Sequence, residues 1–226
     1  MFLVEDYYTM TKLEKLINSK IYFYGKPKEN CEKFFNRLKE IPFEDRFKES
    51  KRMEISKNIN GVTYDSPYEK KILKDFDECS FIKEIKTQSL VIKYSSNIKI
   101  RKYYPDIQLL LDDGVVVIVE VKPFKEMVNK HNLMKHKVLE KYCKKNKFGF
   151  SIIDYNYYSF EDLKLEKVPL SIQNNFIKYV KSRKEVTFDE CNSFKKEYNI
   201  TDYQICKIIL KNKHLIYQQH IIKYVK

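Results

Sequence analysis

Two carboxylates and a lysine stand close together in the middle of this 226-residue chain. Asp106 follows Tyr104 and Pro105 directly, and Glu120 and Lys122 come at the end of the second apolar run after it. Two carboxylates that hold a divalent cation, with an ammonium beside them, are what metal-dependent hydrolysis of a phosphodiester requires. The alternative is that Glu120 and Lys122 form a solvated ion pair at a strand end.

Two strands joined by a tight turn would bring these residues together. The run 107–111 is largely apolar, the run 115–119 is β-branched throughout, and Asp113-Gly114 between them is a strong hairpin signal. Strands this apolar are typical of sheets covered on both faces. Because residues i and i+2 of a strand point to the same side, Glu120 and Lys122 are predicted to project together.

Further elements predict an α/β core around this hairpin. Ser66 can cap a helix, Pro67 suits its first position, and Glu69 falls three residues after the cap, as in a capping box. That spacing places Glu69 in the first turn, where capping alone would also explain it. The other predicted elements are strands 81–86, 90–94 and 99–111, a helix over 129–145 and a strand over 150–154.

The chain from Pro169 onward is predicted to form three short helices followed by a hairpin, and the second helix is predicted to begin at Thr187-Phe188-Asp189-Glu190. This order is typical of a winged helix, a relative of the helix-turn-helix, although an α-helical packing tail is the alternative. The third helix, 201–211, would be the recognition helix, with Tyr203, Gln204 and Lys207 as its polar contacts. We expect this region to be separable from the core and to act in recruitment rather than hydrolysis.

The chain therefore divides into three predicted parts. Residues 1–60 form an N-terminal extension of unknown role, with helical patches at 11–19 and 28–41 and a turn at 58–61. The helical patches could cap the core. Residues 61–159 form the core, and residues 160–226 form the winged-helix-like region.

The charge of the chain points to a polyanionic partner. The net charge is +13 and the sequence pI is about 9.3, and a protein this basic is expected to meet DNA or RNA. A lysine-rich composition from an AT-rich genome would give the same balance. Hydrophobic residues make up 43% of the chain, which is enough to bury a core.

Cysteine usage and hydropathy predict a cytoplasmic protein. The five cysteines have no C-x-x-C spacing, which favours buried reduced thiols over zinc ligands or disulfides. Residues 1–6 do not resemble the start of a signal peptide, and the sequence has no apolar run long enough to cross a membrane.

These motifs resemble the PD-(D/E)xK superfamily of restriction-endonuclease-like proteins. The hairpin with Pro105-Asp106 and Glu120-Val121-Lys122 carries that resemblance. The order from Ser66 and Glu69 through Gln88 to Pro123 is similar, more narrowly, to the N-terminal domain of TnsA transposon endonucleases. The resemblance implies a mixed sheet flanked by helices, followed by a winged-helix domain, over residues 60–225.

The resemblance also implies an activity and a set of partners. The activity is Mg²⁺-dependent cleavage of one strand of double-stranded DNA, on the 5′ side, at transposon ends, and Mn²⁺ would substitute for Mg²⁺. The partners are an integrase-type transposase subunit and an ATPase regulator. Glu69, Asp106, Glu120 and Lys122 fall on the catalytic positions.

The residue types agree with those roles. Mg²⁺ prefers oxygen ligands, which Asp106, Glu120 and the backbone carbonyl of Val121 would supply. Lys122 would orient the attacking water, with a pKa lowered by the nearby dication. Candidate DNA contacts, each of which could equally be an ordinary polar residue, are Gln88, Lys130, Lys137, Lys141 and Lys207. The rival interpretations are another restriction-like DNase and a DNA-binding assembly protein without catalysis.

Overall fold

A computed structural model describes residues 10–24, 31–46, 57–59, 62–96 and 99–225. The first six residues, and part of the turn predicted at 58–61, lie outside these ranges. Helices α1 to α10 span Lys12–Ser19, Cys31–Asn36, Phe43–Arg46, Pro67–Asp77, Phe124–Met127, Lys130–Asn146, Phe160–Leu165, Leu170–Arg183, Asn192–Tyr198 and Asp202–Lys211. Strands β1 to β11 span Lys57–Ile59, Val62–Tyr64, Ile82–Thr87, Ile92–Ser96, Lys99–Tyr103, Ile107–Leu111, Val116–Val121, Gly149–Ile153, Glu185–Thr187, Leu215–Gln218 and Ile221–Tyr224.

A four-stranded mixed sheet forms the centre of the molecule. Its strand order is β3-β6-β7-β8, with β7 and β8 parallel and the other pairs antiparallel. Every residue of β6, β7 and β8 is buried. Alternate residues belong to two apolar clusters, as the period of two in a strand requires. Helices α6 and α4 contribute to the two clusters, which confirms the prediction of an α/β core covered on both faces.

The strand predicted over 99–111 is in fact two strands. It is interrupted at residues 104–106, where Pro105 has no N–H to donate to a ladder. Upstream of the break, β5 pairs with β4 in a separate two-stranded sheet, and downstream β6 joins the central sheet. Asp106 is thereby left at the end of the β6–β7 ladder, where its side chain is available.

The predicted helix starts are confirmed by their caps. The side chains of Ser66, Asn129 and Thr201 each accept a hydrogen bond from the first turn of α4, α6 and α10. The second C-terminal helix was predicted to begin near Thr187 but begins at Asn192. Thr187 instead ends β9 and donates from its backbone N–H to Glu190, 2.6 Å away, so its capping chemistry closes a turn.

The described part of the N-terminal extension packs directly on the core. The backbone N–H and carbonyl of Tyr22 pair with Phe150 of β8, at 2.9 Å in both directions. Ile17 of α1 belongs to the apolar cluster beneath α4. The Glu14 carboxylate accepts hydrogen bonds from the N–H and hydroxyl of Ser80, both at 2.7 Å. These contacts agree with a cap on the core.

The C-terminal region is also joined to the core. Helix α10 packs against α7 and α5, and Tyr203 lies against Phe124 and Tyr158, with ring centroids 4.4 and 4.0 Å apart. Asp202 pairs with Lys125, at 3.1 Å. Buried residues of α8 and α10 belong to the same apolar cluster as those of β7 and β8. This continuity argues against the expectation that residues 160–226 separate freely from the core.

Two further expectations concern burial and membranes. All five cysteines are buried, as predicted from their spacing. No helix within the described part of the chain has the length and apolarity needed to cross a bilayer.

His136 of α6 is a buried titratable residue within this packing. Its ring packs edge-on against Phe160, 4.8 Å between centroids, and neither ring nitrogen has a hydrogen-bond partner among the described residues. Burial, together with the positive charge of Lys122, lowers the pKa of His136 to about 3. The imidazole is therefore held neutral in the folded protein.

We expect His136 to make the protein less stable as the pH falls from about 6.5 towards 3. The unfolded chain takes up a proton at the ordinary histidine pKa, whereas the folded chain does not, so protonation favours unfolding over that range. Urea unfolding of the wild type and of His136→Leu should diverge below about pH 6.5. His220→Leu, which removes an exposed histidine, is the control. Parallel pH profiles for wild type and His136→Leu would contradict this account.

Candidate active site

The structure brings Asp106, Glu120 and Lys122 into direct contact. The Lys122 ammonium lies 3.1 Å from Asp106 Oδ2 and 2.9 Å from Glu120 Oε1. It also donates a hydrogen bond to the carbonyl of Val121, at 2.9 Å. Glu120 and Lys122 project together, as the strand pattern predicts. Both carboxylates are buried, so the alternative of a solvated ion pair at a strand end is wrong.

Hydrogen bonds from the surrounding strands fix both carboxylates. Asp106 Oδ2 accepts the backbone N–H of Val121, at 2.8 Å, so the aspartate closes the β6–β7 ladder with its side chain. The hydroxyl of Tyr103 donates to Glu120 Oε2, at 2.8 Å. Burial and the Glu120 charge raise the pKa of Tyr103, which keeps the phenol protonated. The sequence pattern gave no role to Tyr103 beyond core packing; its position directly before Tyr104-Pro105-Asp106 was the only available signal.

Glu69 combines a capping role with proximity to this cluster. Its carboxylate accepts hydrogen bonds from the N–H of Asp65, at 3.0 Å, and from the hydroxyl of Ser66, at 2.9 Å. The backbone contact is one residue earlier than in a standard capping box. Burial and the negative charge of Asp106 raise the pKa of Glu69 to about 7. The carboxyl is thus within electrostatic reach of Asp106.

The two carboxylates of the site repel each other, and both stabilise the charged form of Lys122. Burial and the neighbouring Glu120 raise the pKa of Asp106 to about 6, although Lys122 partly offsets them. Burial disfavours the Lys122 ammonium, but Asp106 and Glu120 outweigh it, so the pKa of Lys122 is raised. The sequence-based expectation of a lowered lysine pKa assumed a bound dication. The negative charges of Asp106 and Glu120 hold the Lys122 side chain protonated.

A buried polar network supports the backbone next to Asp106. Gln108 Oε1 accepts from the N–H and the hydroxyl of Ser89, at 3.1 and 2.6 Å, and its amide donates to the Pro105 carbonyl, at 3.0 Å. The N–H of Gln88 donates to the carbonyl of Asp106, at 3.0 Å. These hydrogen bonds connect the loop 88–89 with the strand break at residues 104–106.

Gln88 is buried, so its interpretation as an ordinary exposed strand residue is wrong. Its φ of +49° lies in the left-handed region, which a residue other than glycine rarely adopts. Its two backbone groups pair with Asp106 and Ile41. In this structure Gln88 therefore positions the backbone of Asp106.

The lysines predicted to touch DNA differ in their placement. Lys130, Lys137 and Lys141 are exposed on one face of α6, opposite the buried Leu139 and Cys143. They remain candidate phosphate contacts, but the structure does not bring them into the cluster around Lys122.

Lys207 is buried, and its placement corrects the expectation of a DNA contact. Its ammonium donates to the backbone carbonyl of Lys164, in the last turn of α7. Burial lowers its pKa. Gln204 likewise donates to the carbonyl of Lys167, at 3.0 Å, and Tyr203 packs against the core. The polar side chains proposed for a recognition helix are therefore used inside the protein.

The oxygens around Lys122 fit a divalent cation. One oxygen from each of Asp106, Glu120 and Val121 converges on the ammonium, which stands where a cation is favoured. Carboxylate and carbonyl oxygens are the ligands that Mg²⁺ prefers, with water completing its shell. Among the described residues, no group of three or more Asp, Glu, His or Cys side chains is arranged to hold a metal ion. The donor set is thus two carboxylates with a backbone carbonyl.

A mixed sheet flanked by helices, with these carboxylates and a lysine at the end of two central strands, is compatible with a restriction-endonuclease-like nuclease core. Residues 79–155 match the family described as TnsA-like endonuclease N terminal. That match confirms the resemblance drawn from the motifs: residues 79–155 are similar to the N-terminal domain of TnsA-like endonucleases. It includes Asp106, Glu120 and Lys122, whereas Glu69 lies before it. A comparison with curated proteins found no match.

We expect Tyr103→Phe to lower the free energy of unfolding by about 1–3 kcal/mol, because it leaves a buried carboxylate oxygen of Glu120 without its donor. Urea unfolding in metal-free buffer measures the loss. Tyr94→Phe, which removes a hydroxyl from the neighbouring strand β4, is the matched control. Equal stability of the two variants would show that the hydroxyl of Tyr103 contributes nothing to holding Glu120.

Proposed function

We propose that this protein is a metal-dependent DNA endonuclease that cuts one strand, on the 5′ side, at the ends of a transposon. The observation that carries the proposal is the convergence of Asp106 Oδ2, Glu120 Oε1 and the Val121 carbonyl on the Lys122 ammonium, at 3.1, 2.9 and 2.9 Å. The TnsA-like family match over residues 79–155 supports a nuclease, a DNA substrate and a role in transposition.

Mg²⁺, or Mn²⁺ in its place, would be held by Asp106, Glu120 and the Val121 carbonyl. When bound, it supplies an activated water and neutralises charge on the phosphate. Asp106 and Glu120 are suited to this role because hydrogen bonds already hold both carboxylates in place. Asp106 accepts one from the N–H of Val121, and Glu120 accepts one from the hydroxyl of Tyr103. The ligands therefore need little rearrangement to accept a cation.

Lys122 would act on the phosphate. It cannot keep all three of its oxygen contacts when a cation takes the same oxygens. Its freed N–H groups would then hold a phosphate oxygen or orient the attacking water. The raised pKa of Lys122 supports a charged side chain before substrate binds. Glu69 would hold a water or a second cation from the side of α4.

Residues 160–226 are proposed as a winged-helix-like region that recruits a partner. The order helix α8, strand β9, helices α9 and α10, then the hairpin β10–β11, with β9 pairing with β11, supports this assignment. Since Tyr203, Gln204 and Lys207 contact the rest of the chain, α10 is better suited to a structural role than to base readout.

The proposed partners follow from the family match. They are an integrase-type transposase subunit, which would cut the other strand, and an ATPase regulator. The proposed division of the chain is an N-terminal extension over 1–60, a nuclease domain over 61–159 and the recruiting region over 160–226.

The protein should nick supercoiled plasmid DNA in Mg²⁺ or Mn²⁺, and this activity should be lost in Asp106→Ala and in Lys122→Ala. The expected loss is at least about 100-fold, since each change removes a group that contacts the metal or the reacting phosphate. Conversion of supercoiled to nicked plasmid on agarose gels measures it. A parallel series adds the proposed integrase-type transposase subunit.

Asp112→Ala and Lys74→Ala are the matched controls, because both residues are exposed and lie outside the cluster. They should cut at the wild-type rate. Melting curves of all four variants separate a lost site from a lost fold. Cutting in excess chelator, or undiminished cutting by both site variants, would contradict the proposal.

A further inference from the structure

The β4–β5 hairpin is a two-stranded ribbon that the catalytic cluster leaves unexplained. Its strands pair only with each other and stand apart from the four-stranded sheet, within the described residues. Its second strand runs directly into Tyr103 and the Tyr104-Pro105-Asp106 segment. The hydroxyl of Tyr103 holds Glu120 at 2.8 Å, so the base of the ribbon belongs to the site.

The inner face of the ribbon is fixed to the core. Ile92 and Tyr103, which are cross-strand partners, are both buried. The ammonium of Lys135, on α6, lies 5.5 Å from the centre of the Tyr103 ring. Tyr94 packs against the same apolar cluster. The ribbon is therefore anchored at its base and through Tyr94, whereas Lys99 and Arg101 further along this face are exposed.

The outer face of the ribbon is exposed and basic. Its four side chains form two cross-strand pairs, Lys93 with Lys102 and Ser95 with Ile100, and all four are exposed. Like charges directly opposite each other destabilise a strand pair. Ile100 is 76% exposed, although burial would stabilise it. Residues 92–103 contain three lysines, one arginine and no acidic residue.

The facing lysines and the exposed Ile100 do not stabilise an isolated ribbon, but both can contact bound DNA. Facing lysines repel each other in water, whereas phosphates on either side of a groove relieve that repulsion. The major groove admits a two-stranded β-ribbon. An apolar side chain between the lysines can contact a thymine methyl group.

We infer that the outer face of the β4–β5 ribbon is a docking surface for duplex DNA, which guides the strand to be cut towards Asp106 and Glu120. Lys93 and Lys102 contact backbone phosphates, and Ile100 contacts the groove between them. This inference rests on the proposed function, since it takes duplex DNA as the substrate, and it adds the surface that positions that substrate.

The test compares Lys93→Gln/Lys102→Gln with the control Lys178→Gln/Lys196→Gln, which removes the same charge from exposed positions on α8 and α9. Binding of full-length protein to a fluorescent DNA duplex is measured by anisotropy, in metal-free buffer, over a range of salt concentrations. No cutting occurs under these conditions, so binding is read separately from activity.

Loss of the ribbon lysines should reduce the slope of log Kobs against log salt by about 1.8, since each phosphate contact contributes about 0.9. At about 0.1 M salt, affinity should fall roughly 10- to 100-fold by the same relation. The control should keep the wild-type slope and affinity. The melting temperature of the ribbon variant should be equal to or above that of wild type, because a repulsive pair is removed.

The inference would be overturned if the ribbon variant bound duplex DNA with the affinity and the salt slope of the wild type. This holds also if the variant lost binding to a protein partner. Absence of duplex binding by the wild type would overturn it as well. Ile100→Gln should weaken binding without changing the salt slope, and unchanged affinity would overturn the role of Ile100. A protein that binds through the ribbon but never cuts with metal present would contradict the proposed hydrolysis and leave the ribbon assignment standing.

Discussion

The contact between one ammonium and three oxygens is the interaction on which this site depends. Lys122 lies between Asp106, Glu120 and the Val121 carbonyl in a largely buried position. An uncompensated buried carboxylate would cost several kcal/mol. With Glu69 nearby, acidic side chains still outnumber the single lysine. Burial, together with that excess of negative charge, raises the pKa values of Glu69 and Asp106 to about 7 and 6.

The protein tolerates this concentration of charge because the surrounding backbone satisfies it. Asp106 is held by the N–H of Val121, Glu120 by the hydroxyl of Tyr103, and Glu69 by the N–H of Asp65 and the hydroxyl of Ser66, just before α4. Since every residue of β6, β7 and β8 is buried, the strand ends can move little. A negative, rigid and already hydrogen-bonded group of oxygens is well suited to a divalent cation. These oxygens need a nearby positive charge to be stable, and the ammonium of Lys122 provides it.

The elements outside the TnsA-like segment are built around this sheet. The described N-terminal segment adds a backbone pairing at β8, and α10 packs on α5 and α7 through Tyr203. Of the polar side chains predicted for a recognition helix, Lys207 is buried, and Tyr203 and Gln204 contact the rest of the protein. Exposed positive charge is also found on α6 and on the β4–β5 ribbon. Charge that faces solvent beside the catalytic strands is better placed for a polyanion than charge on α10.

The hairpin that carries Asp106, Glu120 and Lys122 could be predicted from the sequence alone. Its apolar runs, the Asp-Gly turn and the two-residue period placed Glu120 beside Lys122, and Ser66 marked the start of α4. These are local rules, and they hold because strand and cap geometry depend on neighbouring residues. Three other contacts could not be predicted in this way: Tyr103 holds Glu120, Gln108 donates to the Pro105 carbonyl, and Lys207 is buried against α7. Those contacts join residues from different elements, and burial overrides the exposure that a lysine or glutamine otherwise favours. A local sequence pattern does not predict which helix will cover such a side chain.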